Sequence, residues 1–207
     1  PLSAYDSCRL VSLNLKSLVK NSFEKNADFD FNKLREVAAI AMRLSDDLVE
    51  LELEKLTNIQ KIADTPDEKK LWGKLYSAAA NGRRTGLGTH GLADALACLN
   101  LAYDSDEGLV IIEKIYRTQR EAAYEESVYL AQERGAFPAF DWSLEEDNEF
   151  IQRLPEKIKE MLAAHGRRNI SILTNAPTGS VSIMSQTSSG LEPVFRNSYV
   201  RRRKLSH

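Results

Sequence analysis

The sequence predicts an α/β protein that is mostly helix with a few strands, and three observations predict it. Residues 30–166 form a block in which apolar side chains recur at three- and four-residue spacing. After Arg168 the grammar changes, and Asn169-Ile-Ser-Ile-Leu-Thr174 alternates as a half-buried strand does. Only two or three strands are visible, too few for a self-contained parallel sheet. The chain therefore reads as a single partial domain, residues 1–207, of a larger barrel or sheet: helical over 30–166, strand and loop over 169–203.

The first helix is expected over 32–56, where Leu34, Val37, Ala38, Ala41, Leu44, Leu48 and Leu51 fall on one face, with Asp30 or Asn32 as its cap. Thr65-Pro66-Asp67-Glu68 opens the next. Thr65 caps it, Pro66 suits a first position whose N–H needs no partner, and Glu68 stands three residues after the cap. It should stop near Asn81-Gly82, a left-handed terminator. A further helix is expected from Gly91 to Tyr103. A long one follows over 105–134, capped by Asp104 with Glu107 and ended by Gly135. Phe137-Pro138 breaks the pattern. Ser143 and Glu146 form another capping box, and short helices are expected over 143–153 and 155–165, the second opened by Pro155 and closed by Gly166. Phe195 to Arg203 is aromatic and β-branched enough for a closing strand.

Composition narrows the function classes. Hydrophobic residues at 43% of 207 can fill a core, which excludes a disordered chain. Against 30 acidic residues the 28 basic ones leave a net charge of −2, without the positive excess of a bulk nucleic-acid binder. Cys8 and Cys98 are too few for a disulfide scaffold and point to a reducing, cytoplasmic compartment. No apolar run reaches the roughly 18 residues of a membrane span, so no membrane partner is expected. The N-terminus lacks the charged and apolar regions of a signal peptide. It does not begin with Met, and is read as a processed product or a cut piece.

Gly86-Leu-Gly88-Thr-His-Gly91 matches the glycine pattern of dinucleotide-binding folds, but what precedes it reads as a helix and its end rather than a strand. Close packing against a helix, where missing side chains let backbones approach, is the preferred reading. Arg83 and Arg84 are read as solvated or structural pairing rather than an anion site. His90, His165 and His207 are scattered and form no metal-spaced set with either cysteine, so no metal site is expected. Tyr116, Tyr124 and Tyr129 are read as core and boundary residues. Cys98, in an apolar run, is read as a small buried hydrophobe. Cys8 stands beside Arg9, whose charge can lower a thiol pKa, but a single cysteine of this kind is more often a small buried hydrophobe than a reactive group. Asn175-Ala-Pro-Thr-Gly-Ser180 differs in kind. Just past a strand, Pro177 fixes one backbone angle, Gly179 permits conformations closed to other residues, and Thr178 and Ser180 offer hydroxyls. Such a turn can cradle phosphate with successive N–H groups, helped by a helix starting at Ser180. An ordinary strand-to-helix turn is the alternative.

Four segments, in order and spanning nearly the whole chain, resemble ribonucleotide reductase catalytic subunits, most closely the adenosylcobalamin-dependent class. They are Pro1 to Leu15, Arg83 to Asp94, Asn175 to Ser180, and Ser188-Ser-Gly-Leu-Glu-Pro193. The resemblance implies a ten-stranded α/β barrel of which this chain is a part. It implies a thiyl radical, generated by homolysis of the cobalt–carbon bond of adenosylcobalamin, that takes the 3′-hydrogen of a ribonucleoside di- or triphosphate. A glutamate acts as base, the 2′-hydroxyl leaves as water, and a cysteine pair supplies two electrons. Cys8 matches the second member of that pair, restored by a thioredoxin-like or dithiol reductant. Ala176, Pro177, Thr178, Gly179 and Ser180 match the loop that grips the substrate phosphates, and Arg83 to Asp94 matches a barrel-packing segment.

In the family an Asn-x-Cys-x-Glu motif precedes the residues matching Pro1-Leu2. The radical cysteine, the base glutamate and the first reducing cysteine are thus expected on an upstream segment, and this chain alone is expected not to reduce nucleotides. A split gene, an intein junction or a deliberate cut would each produce such a chain. The complete enzyme is expected to be a homo-oligomer. The alternatives are a non-catalytic phosphate- or nucleotide-binding module and a structural piece that assembles with an upstream chain.

Overall fold

A computed structural model describes residues 2–198, 200 and 202. Strand β1 (Arg9–Asn14) leads through a 3-10 turn (Leu15–Leu18) into a two-residue hairpin of β2 (Val19–Lys20) and β3 (Asp28–Phe29). Helices α1 (Phe31–Ile62) and α2 (Pro66–Gly82) follow as an antiparallel pair and deliver the chain to β4 (Thr85–His90). Then come α3 (Leu92–Cys98), the long α4 (Asp106–Arg134), a 3-10 turn (Trp142–Leu144), α5 (Glu149–Gln152), α6 (Glu156–His165) and α7 (Gly179–Ser185).

β1 and β4 pair in parallel from Arg9↔Thr85 to Asn14↔His90. Residues 170–174 run along the other edge of β4. Ile170 donates to the carbonyl of Gly82 (2.8 Å), Thr85 to Ser171 (3.0 Å), Leu87 to Ile172 (2.8 Å) and Thr174 to Leu87 (3.2 Å). The expected strand over 169–174 is thus a ladder segment holding one bridge, Leu87↔Leu173, and the order is β1, β4, 170–174. Among the described residues this partial sheet does not close into a ten-stranded barrel. The strand character of 85–90 and 9–14 escaped the sequence reading. The glycine motif is itself a strand, buried along its length, and its glycines admit neighbouring chain rather than a helix. Phe195–Ser198 form no strand, and Tyr199, Arg201 and Arg203 lie outside the described residues.

Local chemistry explains the helix ends. Asp30 accepts from the N–H of Lys33, and Thr65 and Glu68 complete the capping box. α1 runs six residues past the expected end, to Ile62. α2 ends on Arg83, which takes the left-handed conformation itself (φ 47°), while Gly82 stays helical. The long helix is capped by Ser105, which accepts from Gly108, rather than by Asp104. α3 stops at Cys98, short of the expected Tyr103, because Asn100 turns left-handed (φ 60°). Asp141 and Asn148, not Ser143, cap the short turns before α6.

One apolar cluster joins Ala38, Met42, Leu87, Ala123, Val128, Leu162 and Ile172 under the sheet; a second joins Leu15, Phe29, Leu34, Leu92, Leu96 and Ile115. Tyr124 and Cys98 are buried, as read from sequence. On α1 the buried stripe turns after Ala41, taking in Met42, Ser45, Asp46 and Val49 and leaving Leu44 and Leu51 exposed. Asp46 explains the rotation. Arg83 reaches its Oδ1 at 2.8 Å, Arg134 and Arg168 its Oδ2 at 3.1 and 3.3 Å, and the Asn169 amide donates to Oδ1 at 3.0 Å. Burial opposes the charge, but the Arg83 bond, the guanidiniums and Asn169 hold the carboxyl below its ordinary range. Arg83 is thus a buried structural partner, not a solvated one.

Candidate functional site

Opposite residues of a parallel pair share a face, and successive residues alternate. Val11, Leu13 and Leu87 turn into the helical core. Ser12, Gly86 and Gly88 therefore lie on the other face, and the chain leaving residue 174 crosses it. There a hollow of about 190 Å³ is lined by Ser12, Gly86, Gly88 and Thr174 together with Ala176, Pro177 and Thr178.

The glycines create it. A Cβ on Gly88 would lie 2.2 Å from the Thr174 carbonyl oxygen, so the backbone entering the 175–180 loop passes where a side chain would stand. A Cβ on Gly86 would lie 2.5 Å from Thr174 Cγ2 and 2.7 Å from Cys8 Sγ. The Cys8 thiol and the base of the loop therefore meet over Gly86.

Cys8 is half-buried and free. Its segment is clamped: Arg84 Nε binds Asp6 at 2.6 Å, and Arg9 Nε binds Glu52. Burial pushes the thiol pKa up, and the charges of Arg84 and Arg9 offset part of that rise. The cation beside Cys8 therefore does not win, and the resting group is the thiol.

In the loop, Ala176 is half-buried and Pro177, Gly179 and Ser180 are exposed. Thr178 is buried and already employed. Its Oγ1 accepts from the N–H of Gly190 at 2.8 Å and lies 3.3 Å from Ser189 Oγ. It therefore ties down a strap, and Ser180 is the hydroxyl left open to a ligand. Gly179 has no positive φ and open space at its Cβ, so the special conformation expected of it is not used. The strap also docks on the end of β4: Gly91 N–H donates to the Ser188 carbonyl at 2.9 Å, and Ser188 N–H donates to the Asp94 carboxylate. Three of the singled-out segments are thus joined by hydrogen bonds, and the first is joined to them by the β1–β4 ladder and brings Cys8 against Thr174.

Sequence reasoning missed Ser12 and passed over His90. Ser12 Oγ and His90 Nδ1 are 2.8 Å apart, and burial lowers the imidazole pKa. The only sequence signal was the His90 position inside the glycine motif. A larger hollow of about 610 Å³, between α4 and residues 170–175, is lined by Asn175 but by neither Cys8 nor any of Ala176–Ser180. Among the described residues no three His, Cys, Asp or Glu side chains are grouped to hold a metal ion. The hollow of about 190 Å³ over Gly86 and Gly88 is too small to seat adenosylcobalamin. No described helix is long and apolar enough to cross a membrane.

Residues 2–206 match the family model described as the ribonucleotide reductase barrel domain. The chain is similar to the vitamin B12-dependent ribonucleoside-diphosphate reductase of Mycobacterium tuberculosis, at 33% identity over 97% of this chain and 24% of the relative. It is equally similar to the protein of that name from Thermoplasma acidophilum, at 33% identity over 97% of this chain and 22% of the relative. The chain thus spans about a quarter of the length of these curated relatives. Among solved structures, the class Id ribonucleotide reductase alpha subunit of Actinobacillus ureae superposes with a TM-score of 0.61 at 23% identity, over 90% of this chain and 28% of that one, a likeness of fold.

Proposed function

Because the chain belongs to the ribonucleotide reductase family through its barrel domain, we propose that it supplies the substrate-phosphate loop and one redox cysteine of a cobalamin-dependent reductase. The observation that carries this reading is the meeting of Cys8 with Thr174, at the base of the loop, over Gly86, which lines one hollow with Ala176, Pro177 and Thr178. A ribonucleoside di- or triphosphate lies with its anionic tail on Ala176–Ser180, where the exposed Gly179 and the Ser180 hydroxyl receive it, and with its sugar toward Cys8. Binding at the remote phosphates fixes the ribose for reaction.

Cys8 serves as an electron donor. It and a second thiol, borne by a segment with Asn-x-Cys-x-Glu, give up two electrons and two protons and close a disulfide. The 2′-hydroxyl leaves as water and carbon 2′ gains hydrogen. A thioredoxin-like or dithiol reductant then reopens the disulfide. Adenosylcobalamin would supply the radical in the complete enzyme, and the working assembly is a homo-oligomer in the cytoplasm.

The test joins this chain with the rest of the reductase, in one polypeptide or in trans, and supplies adenosylcobalamin, a dithiol and a ribonucleotide. Deoxynucleotide is expected. Cys8→Ser should abolish multiple turnover while leaving nucleotide affinity within about twofold, since a hydroxyl is nearly isosteric with the thiol but carries no electrons. Full turnover by Cys8→Ser would refute the redox role; lost affinity would refute the division of labour between thiol and loop.

A further inference from the structure

The hollow beside Cys8 is lined by no charged side chain among the described residues. It holds hydroxyls on apolar walls, chemistry that suits the uncharged sugar of a nucleotide better than a bare phosphate. Thr178 is spent on the strap. Ser12 lines the hollow from β1, and its Oγ is held 2.8 Å from Nδ1 of His90.

His90 is an unusual residue to keep there. It is 3% exposed, its Nε2 is buried without a hydrogen-bond partner, and Asn14, opposite it in the ladder, likewise has a buried and unpartnered Oδ1. A buried polar group left unsatisfied costs stability and calls for an explanation. Orienting Ser12 is one: a buried ring fixed beside it on the same sheet face leaves the serine hydroxyl a single useful direction, into the hollow.

We propose that Ser12 hydrogen-bonds a ribose hydroxyl of the bound nucleotide, with His90 as the positioning residue that aims it. This rests on the hollow being the nucleotide site. Loop and sugar subsite are separable, because inorganic pyrophosphate probes only the loop.

The experiment is calorimetric titration of the full natural polypeptide with a ribonucleoside diphosphate and, separately, with inorganic pyrophosphate. Ser12→Ala and His90→Phe are expected to weaken nucleotide binding roughly five- to tenfold, the worth of one hydrogen bond, and to leave pyrophosphate binding unchanged, which also shows that both variants fold. His90→Gln, which can still bond Ser12, should restore most of the affinity. Wild-type nucleotide affinity in Ser12→Ala would overturn the proposal. So would an equal loss for both ligands, which would make the pair a structural brace. If the unaltered protein binds neither ligand, the phosphate-loop reading fails and this proposal falls with it.

Discussion

Gly88 and Gly86 set the geometry at the scale of single atoms, in different ways. At Gly88 the obstacle to a side chain is backbone, the Thr174 carbonyl at 2.2 Å. At Gly86 the obstacles are side-chain ends, Thr174 Cγ2, Cys8 Sγ and Leu10 Cδ2, which can turn aside. Gly88→Ala should therefore lose about 3 kcal/mol in urea unfolding and Gly86→Ala about 1 kcal/mol, the upper and lower ends of overpacking costs. Equal stability of Gly88→Ala and the parent would contradict the close approach. The sequence displayed these glycines but not what passes over them, because Thr174 is distant in the chain. The thiol gives a second test. Burial favours the neutral form of Cys8, and Arg84 partly counters it. Since only the thiolate is alkylated, iodoacetamide should react slowly at neutral pH and faster as pH rises. In Arg84→Met that rise should move to higher pH, while buried Cys98 stays inert until the chain unfolds. A shift to lower pH would contradict the sign assigned to Arg84.

Among elements, Asp46 ties helix α1 to the chain ends that flank the sheet: to Arg83 before β4, and to Arg168 and Asn169 before the 170–174 segment. Removing its charge leaves Arg83 and Arg168 with only the exposed Glu50 carboxylate and Arg134 with only that of Asp47, so Asp46→Asn should cost about 3 kcal/mol at pH 7, the lower end for breaking a buried pair. The sign with pH is fixed. The folded pKa lies below the unfolded one, near 3.9, so the stabilisation is fully present above that value and is lost as pH falls through the folded pKa. The stability gap between parent and Asp46→Asn, read from urea midpoints, should be flat above about pH 5 and shrink below about pH 4. A constant gap down to pH 2 would remove the pKa argument. This element was illegible in sequence for a physical reason. A charged residue in an amphipathic stripe reads as solvent-facing, and its partners stand 37 and 122 residues away. The Thr65–Glu68 capping box was legible because all its atoms lie within one turn.

In the whole molecule, α1 and α4 cover one face of the parallel sheet, and the opposite face carries the glycines, Cys8 and the loop. This two-sidedness explains why the site segments could be recognised individually while their meeting could not. The helical block was readable from apolar spacing, but β1 and β4 have side chains whose pattern makes sense only once paired. Glycine strands carry no periodic signal at all. If the uncovered face holds one ligand spanning loop and thiol, occupancy must be felt at Cys8. With a ribonucleoside diphosphate at ten times its dissociation constant, alkylation of Cys8 should slow about tenfold, the mass-action consequence of one shared hollow. Inorganic pyrophosphate at the same multiple should slow it much less, because it fills the loop and leaves the sugar's place beside Gly86 empty. Equal protection by both would mean that the loop reaches the thiol by closing over it. No protection by the nucleotide would mean that thiol and loop serve different ligands, and the face would then hold two sites where the packing over Gly86 indicates one.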